Sequence, residues 1–103
     1  MVDISEGQAK FLKCIGEPTR LQILRLLADG EKCVSEIIEN VHREQSLVSH
    51  HLKALKACNI VVARHEAQKV YYKLADPTIA DIVTASADLL SRLCVCEEGK
   101  CGE

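Results

Sequence analysis

The chain has 103 residues and a net charge of −2, and its only aromatic residues are Phe11, Tyr71 and Tyr72. That length makes one domain, 1–103, with an aliphatic and mainly helical core. No apolar run approaches the ~20 residues that cross a bilayer, and Met1-Val2-Asp3-Ile4-Ser5-Glu6 lacks the basic start and apolar stretch of a signal peptide. A cytoplasmic protein with no membrane partner is expected.

Phe11, Leu12 and Ile15 mark a first helix ending around Gly16. Glu17-Pro18-Thr19 opens a second, with proline in the first turn, where its missing N–H costs little. Leu21, Ile23, Leu24, Leu26 and Leu27 make that helix largely buried, and Asp29-Gly30 stops it. A third helix, Val34 to Asn40, carries Ile37 and Ile38, and His42 to Glu44 connects it to the next.

That next helix is the most informative stretch of the chain. In Gln45-Ser46-Leu47-Val48-Ser49-His50-His51-Leu52-Lys53-Ala54-Leu55, the residues Val48, Leu52 and Leu55 recur at helical spacing and can pack inward. Gln45, Ser46, Ser49, His50 and Lys53 share the opposite side. An amide, short hydroxyls and one long cation suit base edges and phosphates, whereas an ordinary solvated face mixes Glu with Lys. This face carries no acid, and it reads as a DNA-contacting surface. Ser46 is placed to cap the helix, and Cys58-Asn59 ends it.

The period then changes from helical to strand-like. Ile60 to His65 and Lys69 to Leu74 are β-prone runs around Glu66-Ala67-Gln68. A hairpin directly after a helix-turn-helix is a wing, and its cations Arg64 and Lys69 can straddle phosphates. Asp76-Pro77 starts a last helix with Ile79, Ile82, Val83, Leu90 and Leu93, more apolar surface than so small a domain needs for its own core. Pairing with a second copy is expected. The expected map is therefore 1–16 and 76–93 for dimerisation, 34–57 for the helix-turn-helix, 60–74 for the wing and 94–103 for a Cys-rich tail.

The charges are segregated. Residues 42–73 hold Arg43, Lys53, Lys56, Arg64, Lys69 and Lys73 against Glu44 and Glu66, which makes this stretch +4 and the remainder −6. His42, His50, His51 and His65 lie in the same stretch. Such a distribution is an electrostatic footprint for a polyanion.

With Glu17-Pro18-Thr19-Arg20-Leu21-Gln22-Ile23-Leu24, then Gln45 to Leu55, then Arg64-His65-Glu66-Ala67-Gln68-Lys69-Val70-Tyr71-Tyr72, the whole chain resembles the ArsR/SmtB family of metal-responsive repressors. The resemblance implies a mainly α winged helix-turn-helix with a small β-hairpin, homodimeric through its terminal helices. It further implies a repressor that sits on double-stranded operator DNA and leaves when an inducer binds. Ala67 departs from the glycine the family often places in the wing turn. Arg20 matches a position with a structural role, anchoring the second helix.

Six cysteines then bear on the inducer: Cys14, Cys33, Cys58, Cys94, Cys96 and Cys101. In a reducing compartment they suggest metal or redox chemistry more than structural disulfides. The sharpest cluster is Cys94, Cys96 and Cys101, with Gly99 and Gly102 allowing the chain to fold back. Three thiolates without histidine form a soft site suited to As(III), Cd(II), Pb(II) or Hg(II). As(III) is the expected inducer, since its lone pair fills the fourth direction. Two family motifs are broken. Ser35 stands where the third-helix metal motif carries a second cysteine after Cys33, and Ala54 stands one turn before Cys58 where cadmium and lead sensors place its companion. Cys14 and Cys33 read as buried structural thiols. The family's last-helix zinc site also fails, because Asp76 fits but Thr78, Leu89 and Arg92 do not.

Nothing points to catalysis or to an organic cofactor. The sequence contains no Gly-rich phosphate loop, no HExxH helix and no Ser/His/Asp order, and no histidine lies near the tail thiols to act as a base. Two alternatives stay open: a thiol redox or persulfide switch bridging two of Cys33, Cys94, Cys96 and Cys101, and a constitutive DNA-binding module whose cysteines regulate nothing.

Overall fold

The structure, a computed structural model, describes residues 3–93. Helix α1 spans Ile4–Ile15, with the Asp3 carboxylate accepting the Ser5 N–H at 2.9 Å as its cap. It stops at Gly16, where a Cβ would meet the Leu12 carbonyl oxygen at 3.0 Å. Helix α2, Pro18–Leu27, begins with Pro18 in its first turn and Glu17 as cap, whose carboxylate accepts the Arg20 N–H at 2.9 Å. Gly30 then takes φ +129°, a conformation few side chains tolerate, and its N–H reaches Leu27 O at 3.0 Å.

A two-residue strand, β1 (Lys32–Cys33), leads into α3 (Val34–Val41) and then α4 (Gln45–Ala57). The Glu36 carboxylate folds back to accept the Cys33 N–H at 3.0 Å, which holds its pKa below the usual carboxylate range. Left-handed residues make the two turns that follow, His42 at φ 55° after α3 and Asn59 at φ 63° after α4. At the second turn Asn59 N–H reaches Lys56 O and Ile60 N–H reaches Leu55 O, both at 3.0 Å, so the last carbonyls of α4 are satisfied.

Strands β2 (Val61–Glu66) and β3 (Lys69–Leu74) form an antiparallel hairpin with Glu66 paired to Lys69 and Arg64 to Tyr71. Helix α5, Thr78–Leu93, closes the described chain, its start held by the Asp76 carboxylate on Thr78 N–H at 2.8 Å. Ile23, Leu24, Ile37, Val48, Leu52, Leu55, Ile60 and Val61 form the fully buried centre, roofed by Ile79 and Val83 of α5. Among the described residues no helix is long and apolar enough to cross a membrane.

Three details differ from expectation. The sheet has three strands in the order β1-β3-β2, because Lys32 and Cys33 pair antiparallel with Tyr72 and Tyr71. Two residues are too few to leave a periodic trace in sequence. Ser46 is not the cap of α4: the helix starts at Gln45, two residues earlier than that cap requires, and the capping position falls to Glu44, whose side chain makes no capping bond. The wing turn is the two-residue Ala67-Gln68 with Ala67 at φ 56°, so a residue with a Cβ occupies a left-handed position where glycine is unstrained.

Candidate nucleic-acid interface

Helix α4 has a dry side and a wet side. Val48, Leu52, Leu55 and His51 are buried, while Gln45, Ser46, His50 and Lys53 are exposed and Ser49 is half-buried. The five polar residues expected to contact DNA therefore lie away from the core on a helix whose opposite side is fixed by packing. Leu47, unassigned from sequence, is also exposed at 39%, and an apolar side chain there can meet a thymine methyl. Its exposure depends on which stripe of α4 the core selects. Arg43, in the turn before the helix, is exposed as well.

The orientation of α4 is held by a polar clamp. Arg20 of α2 donates from Nη1 to Cys14 O of α1 at 2.9 Å and from Nε to His51 Nδ1 of α4 at 3.0 Å. Since arginine can only donate, Nδ1 is the unprotonated nitrogen of His51. The other ring nitrogen faces a Glu17 carboxylate oxygen at 3.6 Å. Burial pushes the His51 pKa below its usual value, only partly opposed by Glu17. Three helices thus meet at one guanidinium, consistent with an anchoring role for Arg20.

The wing divides the two cations assigned to it. Lys69 flanks the turn and, with Gln68, lines a cleft of about 410 Å³ whose other wall includes Gln45, Ser35 and Cys33. The wing tip and the start of α4 therefore share one surface. Arg64 is different, and its expected position at the wing tip is corrected. It sits opposite Tyr71, away from the turn. Its guanidinium binds both Glu31 carboxylate oxygens, at 2.7 and 3.1 Å, and also Glu66, and it lies 4.6 Å from the Tyr71 ring centroid. These bonds raise the Arg64 pKa and lower that of Glu31. Glu31 lies 33 residues away in sequence, outside the segment whose charges were counted, so part of the local +4 is neutralised on folding.

Of the cysteines, Cys94, Cys96 and Cys101 lie outside the described residues. Cys33 is buried with its Sγ 3.1 Å from Ser35 Oγ, Cys14 is buried in the core and Cys58 is exposed at the end of α4. Among the described residues no three side chains of His, Cys, Asp and Glu converge as metal ligands.

Residues 17–62, which run from the cap of α2 through α4 into the wing, match the family described as bacterial regulatory protein, arsR family. An arsenical resistance operon repressor of Staphylococcus xylosus is 33% identical over 90% of this chain and 91% of its own. The chain belongs to the ArsR family. An uncharacterised HTH-type transcriptional regulator of Methanocaldococcus jannaschii is 42% identical over 76% of this chain and 89% of its own. Among solved structures, the homodimeric winged helix-turn-helix DNA-binding domain Mb0332 of Mycobacterium bovis superposes with a TM-score of 0.78 at 29% identity, covering 92% of this chain and 89% of that one. Members of this family are DNA-binding transcriptional regulators, not enzymes.

Proposed function

We propose that the protein is a homodimeric repressor that holds operator DNA in its reduced, ligand-free state and releases it when As(III) or another soft ion binds Cys94, Cys96 and Cys101. The observation that carries the DNA half is the acid-free exposed face of α4, locked against the core by Val48, Leu52 and Leu55. Gln45, Ser46, Ser49 and His50 reach base edges, Lys53 and Lys69 reach phosphates, and Arg64 braces the wing. Residues 34–57 form the reading motif and 60–74 the wing.

Pairing through α1 and α5 is supported by what they leave uncovered. Ile4 is 80% exposed and Leu12 47%; on α5, Leu89, Leu90 and Leu93 are 46, 51 and 71% exposed. A second copy covers this apolar surface and sets the two α4 helices for successive major grooves. The inducer half is supported by the donor set, three thiolates and no histidine, and by the name of the staphylococcal relative. Because Cys94 directly follows the end of α5 at Leu93, gathering the tail thiols acts on the helix that spaces the reading heads. A coupling of about 1–3 kcal/mol changes operator occupancy several-fold or more.

The test is to titrate fully reduced protein on a fluorescent duplex selected for tight binding with arsenite, following thiolate–arsenic absorbance and DNA release together. One arsenite per subunit that frees the DNA, with the response abolished by Ala at any one of Cys94, Cys96 or Cys101, is the expected result. Release by peroxide or persulfide but not by arsenite, surviving loss of one tail cysteine, overturns the metal reading in favour of a two-cysteine switch.

A further inference from the structure

Cys14 and Cys58 are 44 residues apart in sequence, yet they meet at one carbonyl. Cys14 Sγ lies 3.9 Å from Ala54 O, and the same oxygen accepts the Cys58 N–H at 3.1 Å. Cys14 sits near the C-terminal end of α1 and Cys58 closes the last turn of α4, so this thiol pair joins a terminal helix to the reading helix. Arg20 adds a third interaction, its Nη1 donating towards Cys14 Sγ at 3.6 Å. Cys58 is exposed and shares a cleft of about 290 Å³ between α1 and α4 with Gly7, Lys10, Phe11 and Ala57, so an ion can reach the pair from the Cys58 side, Cys14 being buried.

We propose that Cys14 and Cys58 form a second, two-thiolate binding site, within one subunit, for a thiophilic cation that accepts linear coordination, of which Hg(II) is the simplest probe. The site goes beyond the tail reading and uses none of its residues. The donor set fits such an ion: two sulfurs, with no third ligand beside them among the described residues, suit a two-coordinate soft cation and fail a tetrahedral one. Binding is the exchange of two thiol protons for one divalent ion. The product is a neutral dithiolate complex, which a half-buried position tolerates better than an unbalanced charge. The Arg20 N–H group is in place to hydrogen-bond the Cys14 sulfur as it becomes anionic. Both thiols are free, and a disulfide would require their sulfurs at ~2.05 Å. A bridging ion holds them about 4.6 Å apart across two ~2.3 Å bonds. Burial first, and then the neighbouring Cys58 thiol, raise the Cys14 pKa. Uptake therefore strengthens with rising pH.

The experiment uses the full chain with Cys94→Ser, Cys96→Ser and Cys101→Ser, loaded with Hg(II) in the presence of excess small monothiol, which strips singly bound mercury. Retained metal is read by mass spectrometry, proton release in weak buffer, and folding by circular dichroism. One ion retained per chain with two protons released is expected, and Cys58→Ser, at an exposed position, should lower retention about a hundredfold through loss of the chelate. Cys14→Ala gives the same loss, and Cys33→Ser gives none. Retention that survives Cys58→Ser, or that falls with Cys33→Ser instead, overturns the site. Since the tail cysteines are absent throughout, failure here leaves the arsenite result above standing, and failure of that result leaves this one standing.

Discussion

Helices α4 and α5 carry apolar stripes of similar regularity and put them to opposite uses. In α4 the stripe disappears completely: Val48, Leu52 and Leu55 are between 0 and 1% exposed. In α5 only Ile79 and Val83 are buried, and Leu89, Leu90 and Leu93 stand in solvent. The same periodic pattern therefore fixes a helix to the core in one place and leaves an uncovered surface in the other. What separates them is position in the chain. Helix α4 packs against α1, α2, α3 and β2, whereas α5 packs chiefly against α2.

Truncating one leucine on each helix separates the two uses most sharply. Leu52→Ala, at a site with no room to relax, should cost about 2–5 kcal/mol and lower the urea midpoint at every protein concentration. Leu90→Ala should leave the subunit fold intact and instead make the melting temperature depend more steeply on concentration. Equal, concentration-independent losses at both positions contradict the distinction. Next in size is Leu90→Glu combined with Leu93→Glu. It should dissociate the dimer in sedimentation and weaken binding to a two-half-site duplex at least about tenfold, since the second half-site loses its effective concentration. Binding to a single half-site should barely change.

A smaller contrast lies between the two kinds of basic residue. Lys53→Ala should weaken binding to all duplexes and reduce the slope of log affinity against log salt by about 0.9 for each phosphate the lysine had neutralised. Arg64→Ala should leave that slope unchanged, because its charge is already spent on Glu31 and Glu66, and, since surface ion pairs contribute little, the urea midpoint should barely move. The smallest effect is that of pH on the clamp. The His51 pKa is depressed in the folded protein, so below about pH 6.5 the unfolded chain binds more protons than the folded one. Stability then falls as pH drops from there to the folded pKa, and it flattens below both. Asparagine at position 51 keeps an acceptor for Arg20 without titrating, and His51→Asn should remove that part of the pH slope in urea titrations.

These features are unequally legible in the sequence. The helices announce themselves through periodicity and through Pro18, Gly16 and Gly30, and the outer face of α4 follows from the spacing of Val48, Leu52 and Leu55. Strand β1 does not, because two residues carry no period and its pairing with β3 is set by tertiary packing. The confinement of Arg64 is hidden because Glu31 lies far away in sequence, and the meeting of Cys14 with Cys58 because only the docking of α1 on α4 brings them together. These three are long-range meetings of residues that look ordinary in their local surroundings, whereas the cap of α4 at Glu44 rather than Ser46 is a local difference of two residues.

If α4 and the wing tip face DNA while α5 faces a second copy of the chain, the two surfaces must respond differently when DNA arrives. Backbone amide shifts of the reduced dimer, recorded as a tightly binding duplex is added, test this most directly. The expected shifts concentrate in residues 43–53 and 67–69, with 82–93 unmoved and already protected from exchange by the dimer. Shifts concentrated in α1 and α5, with α4 silent, would contradict that division of the molecule.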